Sequence, residues 1–78
     1  MIRKKKRWLL TFYSASGAIA VEKFCKERKL PGRLLPVPRE ISASCGLAWA
    51  VLEEEKDKLS EVIKTFAGEI EGTHYIEL

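Results

Sequence analysis

The sequence predicts an α+β fold, and three observations carry that prediction. Two short, almost wholly apolar runs, Trp8 to Tyr13 and Leu47 to Leu52, read as strands buried inside a sheet. Two longer stretches, one opening near Ser14 and one closing at Gly68, repeat apolar residues at helical spacing. Two further extended segments, one interrupted by prolines and one mixed with polar residues, have the character of sheet edges.

Taken in order, Trp8-Leu9-Leu10-Thr11-Phe12-Tyr13 is rich in aromatic residues and suits a central strand. Ser14 or Ser16 can cap a helix running to about Lys29. On that helix Ala20, Val21, Phe24 and Cys25 share the apolar face, while Glu22, Lys23, Lys26 and Glu27 face water. Pro31-Gly32 ends it. Gly32 to Pro38 is then a short edge strand, since proline donates no ladder hydrogen bond. Leu47 to Leu52 forms the second central strand. Glu53 to Asp57 open a second helix, with acidic side chains at the end where the helix dipole favours them. Its face is Leu59, Val62, Ile63 and Phe66, at i, i+3, i+4 and i+7, and Gly68 stops it. Thr73 to Leu78 is a final edge strand. Two buried and two blunted strands in the order βαββαβ predict a ferredoxin-like sandwich. Its four-stranded antiparallel sheet would have strand order 4-1-3-2, with both helices on one face.

The chain has 78 residues, enough for one domain with a core near the lower size limit for folding without staples. Apolar residues at 46% and charged residues at 32% exclude a disordered polymer. The formal charge of +3 is concentrated in Arg3, Lys4, Lys5, Lys6 and Arg7, and without these five the remaining nine basic side chains face 11 acidic ones. Residues 1–7 are therefore expected to form a basic N-terminal arm on a single domain spanning 8–78. Such an arm can steer toward nucleic acid or anionic lipid, but a solvated end that blunts the first strand is the simpler reading. Arg33 is the only basic residue between Lys29 and Arg39, and no aromatic RNA-binding motif surrounds Trp49, so nucleic-acid binding is disfavoured. No apolar run reaches the roughly 18 residues of a membrane helix, and Trp8 to Tyr13 is too short for a secretory core. A cytoplasmic protein that does not engage membranes is expected.

Two cysteines and one histidine, His74, are too few for a disulfide framework or a zinc site. No metal and no cofactor is expected. The P-loop, paired carboxylates and Ser-His-Asp sets of conventional hydrolases are missing from the sequence as well. His74, on an edge strand, reads as surface or half-buried packing. The two thiols have different surroundings. Cys25 lies on the apolar helix face and should pack against the sheet, about eleven residues into the helix, or roughly 16 Å from its start. A Cys25–Cys45 disulfide, which needs Cα atoms within about 7 Å, is not expected.

Cys45 follows two prolines and a polar run and precedes Gly46. On spacing alone it could simply begin the third strand as a small hydrophobe. It could also be a presented nucleophile. The predicted topology puts its loop at the same end of the sheet as Ser14-Ala15-Ser16-Gly17, whose free backbone N–H groups and dipole favour an anion. Arg39 could supply a cation or pair with Glu40. Ser42 and Ser44 could bond local backbone or donate to a sulfur anion. Gly46 permits positive φ and leaves one flank of the sulfur open.

Val37-Pro38-Arg39-Glu40-Ile41-Ser42-Ala43-Ser44-Cys45-Gly46-Leu47-Ala48 closely resembles the signature of a small bacterial family of selenium/sulfur carrier-like proteins. Leu10-Thr11-Phe12-Tyr13-Ser14 and Ala20-Val21-Glu22-Lys23 are also similar to it, so the resemblance covers nearly all of the chain from Trp8 onward. It implies that Cys45 is the chalcogen-bearing residue, and the residues themselves add Arg39, Ser42, Ser44, Gly46 and Ser14 as the binding candidates around it. It implies a carrier more than a turnover enzyme. The partners would be a protein donor such as a cysteine desulfurase and an acceptor enzyme, and an edge strand could make a homodimer. A ligand- or protein-binding regulatory module on the same fold is the alternative.

Overall fold

The computed structural model describes residues 6–39, 41 and 44–77. The chain runs β1 (Lys6–Phe12), α1 (Ala15–Glu27), β2 (Arg33–Pro36), β3 (Leu47–Leu52), a 3₁₀ helix (Glu53–Leu59), α2 (Ser60–Thr65) and β4 (Ile70–Glu77). The sheet is four-stranded, of order β2-β3-β1-β4, and every pairing is antiparallel. That is the expected 4-1-3-2 order read from its other edge, in an α+β fold. Residues 1–5 of the expected basic arm lie outside the described residues, and Lys6 and Arg7 already belong to β1. Leu78 also lies outside them.

The apolar run of β1 forms the centre of the sheet because both of its faces are covered. Trp8, Leu10 and Phe12 join Trp49 and Val51 of β3 on one face, beneath Ala18, Val21 and Cys25 of α1 and Leu59 and Val62 of the second helical segment. Both helical segments thus pack on that face. Phe12, Leu9, Leu10 and Leu59 have no solvent exposure, and full burial of each such side chain favours folding by about 1.5–3 kcal/mol. The one buried polar side chain among the described residues, Thr11, donates its hydroxyl to the Gly72 carbonyl at 3.3 Å, which offsets its desolvation.

Helix α1 starts where Ser14, in extended conformation, accepts the Gly17 amide with its hydroxyl at 3.4 Å. It ends with Lys29 at φ 57°, the left-handed position glycine more often fills, and the Leu30 amide then reaches back to the Cys25 carbonyl at 2.8 Å. Val21 and Cys25 face the sheet as expected, and Phe24 is half-buried, but Ala20 is exposed. Gly17 and Ala18 are buried in its place, with Glu69 covering Gly17, so the apolar stripe is rotated toward the first turn.

The second helical segment departs from expectation. Glu53 to Leu59 winds as a 3₁₀ helix, and only Ser60–Thr65 is α-helical. The Glu55 carboxylate accepts the Leu52 amide at 3.2 Å and tightens the first turn directly after β3. At about 2.0 Å rise per residue, the 3₁₀ form also carries Leu59 further along the sheet than an α-helix at 1.5 Å would. Leu59 and Val62 reach the core, Phe66 is half-buried, and Ile63 stays 37% exposed. Phe66 meets Phe24 edge-to-face at 5.3 Å, the Arg28 guanidinium lies 4.4 Å from the Phe24 ring, and Arg28 also pairs with Glu61 at 2.9 Å. These contacts tie the two helical segments together.

Candidate functional site

The site is built at one end of the sheet. Thr11 of β1 pairs with both Ala48 and Gly72, and Pro36 pairs with Leu47. The end of β1, the end of β2 and the beginnings of β3 and β4 therefore meet there, and Ser14 starts α1 two residues past β1. The Val37–Gly46 loop closes over this end, its stem fixed by the Val37 amide donating to the Gly46 carbonyl at 2.9 Å. The cysteine loop and the start of α1 thus lie at the same end of the sheet, as expected.

The loop touches both faces of the sheet. Val37 and Ile41 pack with Leu35 and Ile76 against Leu9, Ala48 and Ala50, on the face away from the helices. Leu9 and Ala48 have no exposed surface, and Ala50 has 2%. Cys45 instead packs at the rim of the helix-side core. Ile41 is turned back by its own amide, which donates to the Pro38 carbonyl at 3.0 Å.

Cys45 is a free thiol, half-buried, with two partners on one residue. The Leu47 amide donates to Sγ at 3.4 Å, and the thiol lies 3.5 Å from the Leu47 carbonyl, to which it can donate. The second contact needs the sulfur's proton, whereas a thiolate or persulfide keeps only the amide donor. Gly46 has φ +74°, a conformation that L side chains rarely adopt, and nothing lies within 4 Å of where its Cβ would be. One flank of the loop beside Cys45 is therefore open.

The other predicted residues fall in different places. The Ser44 hydroxyl donates to Glu71 at 2.7 Å, and the Ser44 amide donates to the second oxygen of the same carboxylate at 2.9 Å. Ser14 spends its hydroxyl on the α1 cap. Arg39 is exposed and makes no ion pair among the described residues. Ser42, and the Glu40 that could pair with Arg39, lie outside the described residues. The first turn of α1 carries no acidic residue of its own, and the Glu69 carboxylate lies over Gly17 there.

Sequence reasoning missed Glu71. It lies 27 residues beyond Ser44, and its position depends on a break in strand register. Thr11 pairs with Gly72 but Phe12 pairs with Ile70, which leaves Glu71 as the extra residue of a β-bulge. The two Ser44 hydrogen bonds, with a smaller contribution from the charge of His74, hold the Glu71 carboxyl below its ordinary value. The His74 Nε2 atom sits over Gly72, beside the bulge.

Cys25 is the opposite case. It is fully buried, and desolvation pushes its thiol up to about 11. No group of three or more potential metal ligands occurs among the described residues, and no helix there is long and apolar enough to cross a membrane. The family model described as "Putative Se/S carrier protein-like" matches residues 7–75, which includes both thiols, the loop and Glu71. The chain belongs to this family. No curated protein and no solved structure matches it.

Proposed function

We propose that the protein is a sulfur or selenium carrier that holds a persulfide or selenopersulfide on Cys45, on a ferredoxin-like scaffold. The observation that carries this reading is the contrast between the thiols. Cys45 is partly open to solvent in the loop bearing the family motif, whereas Cys25 is sealed in the core. In the transfer step the Cys45 thiolate attacks the outer sulfur of a donor persulfide. The donor S–S bond breaks, its electron pair leaves on the donor thiolate, and a new S–S bond forms on Cys45. No external oxidant is consumed, because the sulfane sulfur keeps its oxidation level. Selenium would transfer in the same way from a selenopersulfide. Release to an acceptor thiolate reverses the step.

The open flank at Gly46 gives the donor an approach, and the Leu47 amide supplies one hydrogen bond to the sulfur anion. Donor and acceptor proteins would dock near this end, where the edge strands β2 and β4 offer unpaired backbone; the same edges could make a homodimer. Such a carrier suits a reducing compartment such as the cytoplasm. The test is incubation with a cysteine desulfurase and cysteine, read by intact mass. One added sulfur on wild-type protein and none on Cys45→Ser is expected. Equal loading of both would sink the reading.

The double contact of the Cys45 sulfur with Leu47 favours a second reading, in which the thiol is a structural plug in a non-catalytic binding module. That reading predicts iodoacetamide alkylation of Cys45 no faster than that of a model thiol.

A further inference from the structure

We propose that Glu71 is a positioning residue for Cys45, clasping the thiol's loop across the end of β1 through Ser44. The inference rests on the carrier reading for its purpose, but its geometry stands apart from that reading. Both carboxylate oxygens are engaged, one by the Ser44 amide at 2.9 Å and one by its hydroxyl at 2.7 Å. Hydrogen bonds to an ionised acceptor are about twice as strong as neutral ones, and a two-point contact also fixes orientation. The residue so held, by its amide and its hydroxyl, is the one immediately before Cys45.

The clasp has a built support. The bulge at Thr11/Phe12 inserts Glu71 at the start of β4, and bulges are a known way to re-aim a side chain. The Thr11 hydroxyl, in the buried centre of the sheet, binds the Gly72 carbonyl and pins the residue next to Glu71. On the other side of the loop, Val37 and Ile41 anchor on the opposite sheet face. The strand that carries the clasp, β4, does not neighbour β3 in the sheet, so the contact bridges over β1. A loop that needed only closure has that already in the Val37–Gly46 backbone bond. The additional bidentate contact acts on the residue preceding the thiol.

The test compares wild-type protein with Glu71→Gln, Glu71→Ala and Ser44→Ala. By NMR, the Ser44 amide proton of wild-type protein should shift with the Glu71 carboxyl titration, with its midpoint below the ordinary value of 4.5. That response should vanish in Glu71→Gln, a signature a general loss of stability does not produce. Iodoacetamide alkylation of Cys45 at neutral pH should rise about fivefold in Glu71→Ala and less in Glu71→Gln, which keeps one acceptor oxygen, with Cys25 unmodified throughout. Ser44→Ala combined with Glu71→Gln should give less than the product of the single effects. A Ser44 amide that ignores the titration, or Glu71→Ala alkylating within twofold of wild type, overturns the proposal. Sulfur loading from inorganic polysulfide is measured on the same samples. If wild-type Cys45 takes up no sulfur while the NMR and alkylation results hold, the carrier reading fails and the clasp stands.

Discussion

The two thiols of this chain touch the same hydrophobic core from different kinds of backbone, and that difference decides what each can do. Cys25 points from a regular helix turn into the sheet, where Val21 and Ala18 already seal the helix face. Desolvation lifts its titration to about 11, so it stays a neutral apolar filler at physiological pH. Cys45 reaches the rim of that core from a loop with a left-handed glycine on one side and a clasped serine on the other. Burial alone makes a cysteine inert, and a chain that needs a usable thiol must give it a backbone designed to stop short of burial.

Serine substitutions give the largest effect by which to break this contrast. Cys25→Ser puts a hydroxyl into a fully buried apolar site and should cost about 1–3 kcal/mol. Cys45→Ser at the rim should cost no more than about 0.5 kcal/mol. Urea unfolding of both variants measures this, and equal costs would mean that Cys45 is as structural as Cys25. Next in size is Gly46→Ala. No atom lies within 4 Å of the new Cβ, so the cost is conformational only, about 1–2 kcal/mol for holding an alanine at φ +74°. A neutral result would show that the loop relaxes and is not held. Last comes an alkaline limb, which contributes nothing to the comparison at neutral pH. The folded Cys25 titrates above its ordinary value of 9.0, so the unfolded chain loses its proton first. Stability is full below 9.0, falls as pH rises toward about 11, and then levels. In Cys25→Ala the part of this limb due to Cys25 should disappear, which urea midpoints at stepped pH would record.

Much of this architecture is legible in the sequence because it is local. Leu47 to Leu52 reads as a strand from composition alone, and β3 has those bounds. The burial of Cys25 follows from helical spacing beside Val21, and the blunted edges follow from Pro36 and from the polar residues of the last strand. What spacing does not carry is the contact between distant elements. The apolar period Leu59, Val62, Ile63, Phe66 indicates a helix but not that Glu55 would turn its approach into a 3₁₀ coil. Ala20 and Ala18 are equally small, so only the way α1 packs on the sheet decides which is covered. Glu71 reads as one acidic residue among 11. It becomes part of the site only through a register shift between β1 and β4, and no periodic pattern encodes such a shift. The loop signalled its importance through Cys45 and Gly46 but not the identity of its anchor.

The separation of Ser44 from Glu71 has a consequence for biosynthesis. Translation at about 5–20 residues per second leaves roughly one to five seconds between the addition of Ser44 and that of the carboxylate 27 residues later. During that interval β1 cannot pair with β4, and the loop has only its Val37–Gly46 backbone bond and its hydrophobic anchors to Leu9, Ala48 and Ala50. The clasp on the residue before Cys45 is therefore among the last contacts of the fold to form, because its carboxylate arrives only with the strand that completes the sheet.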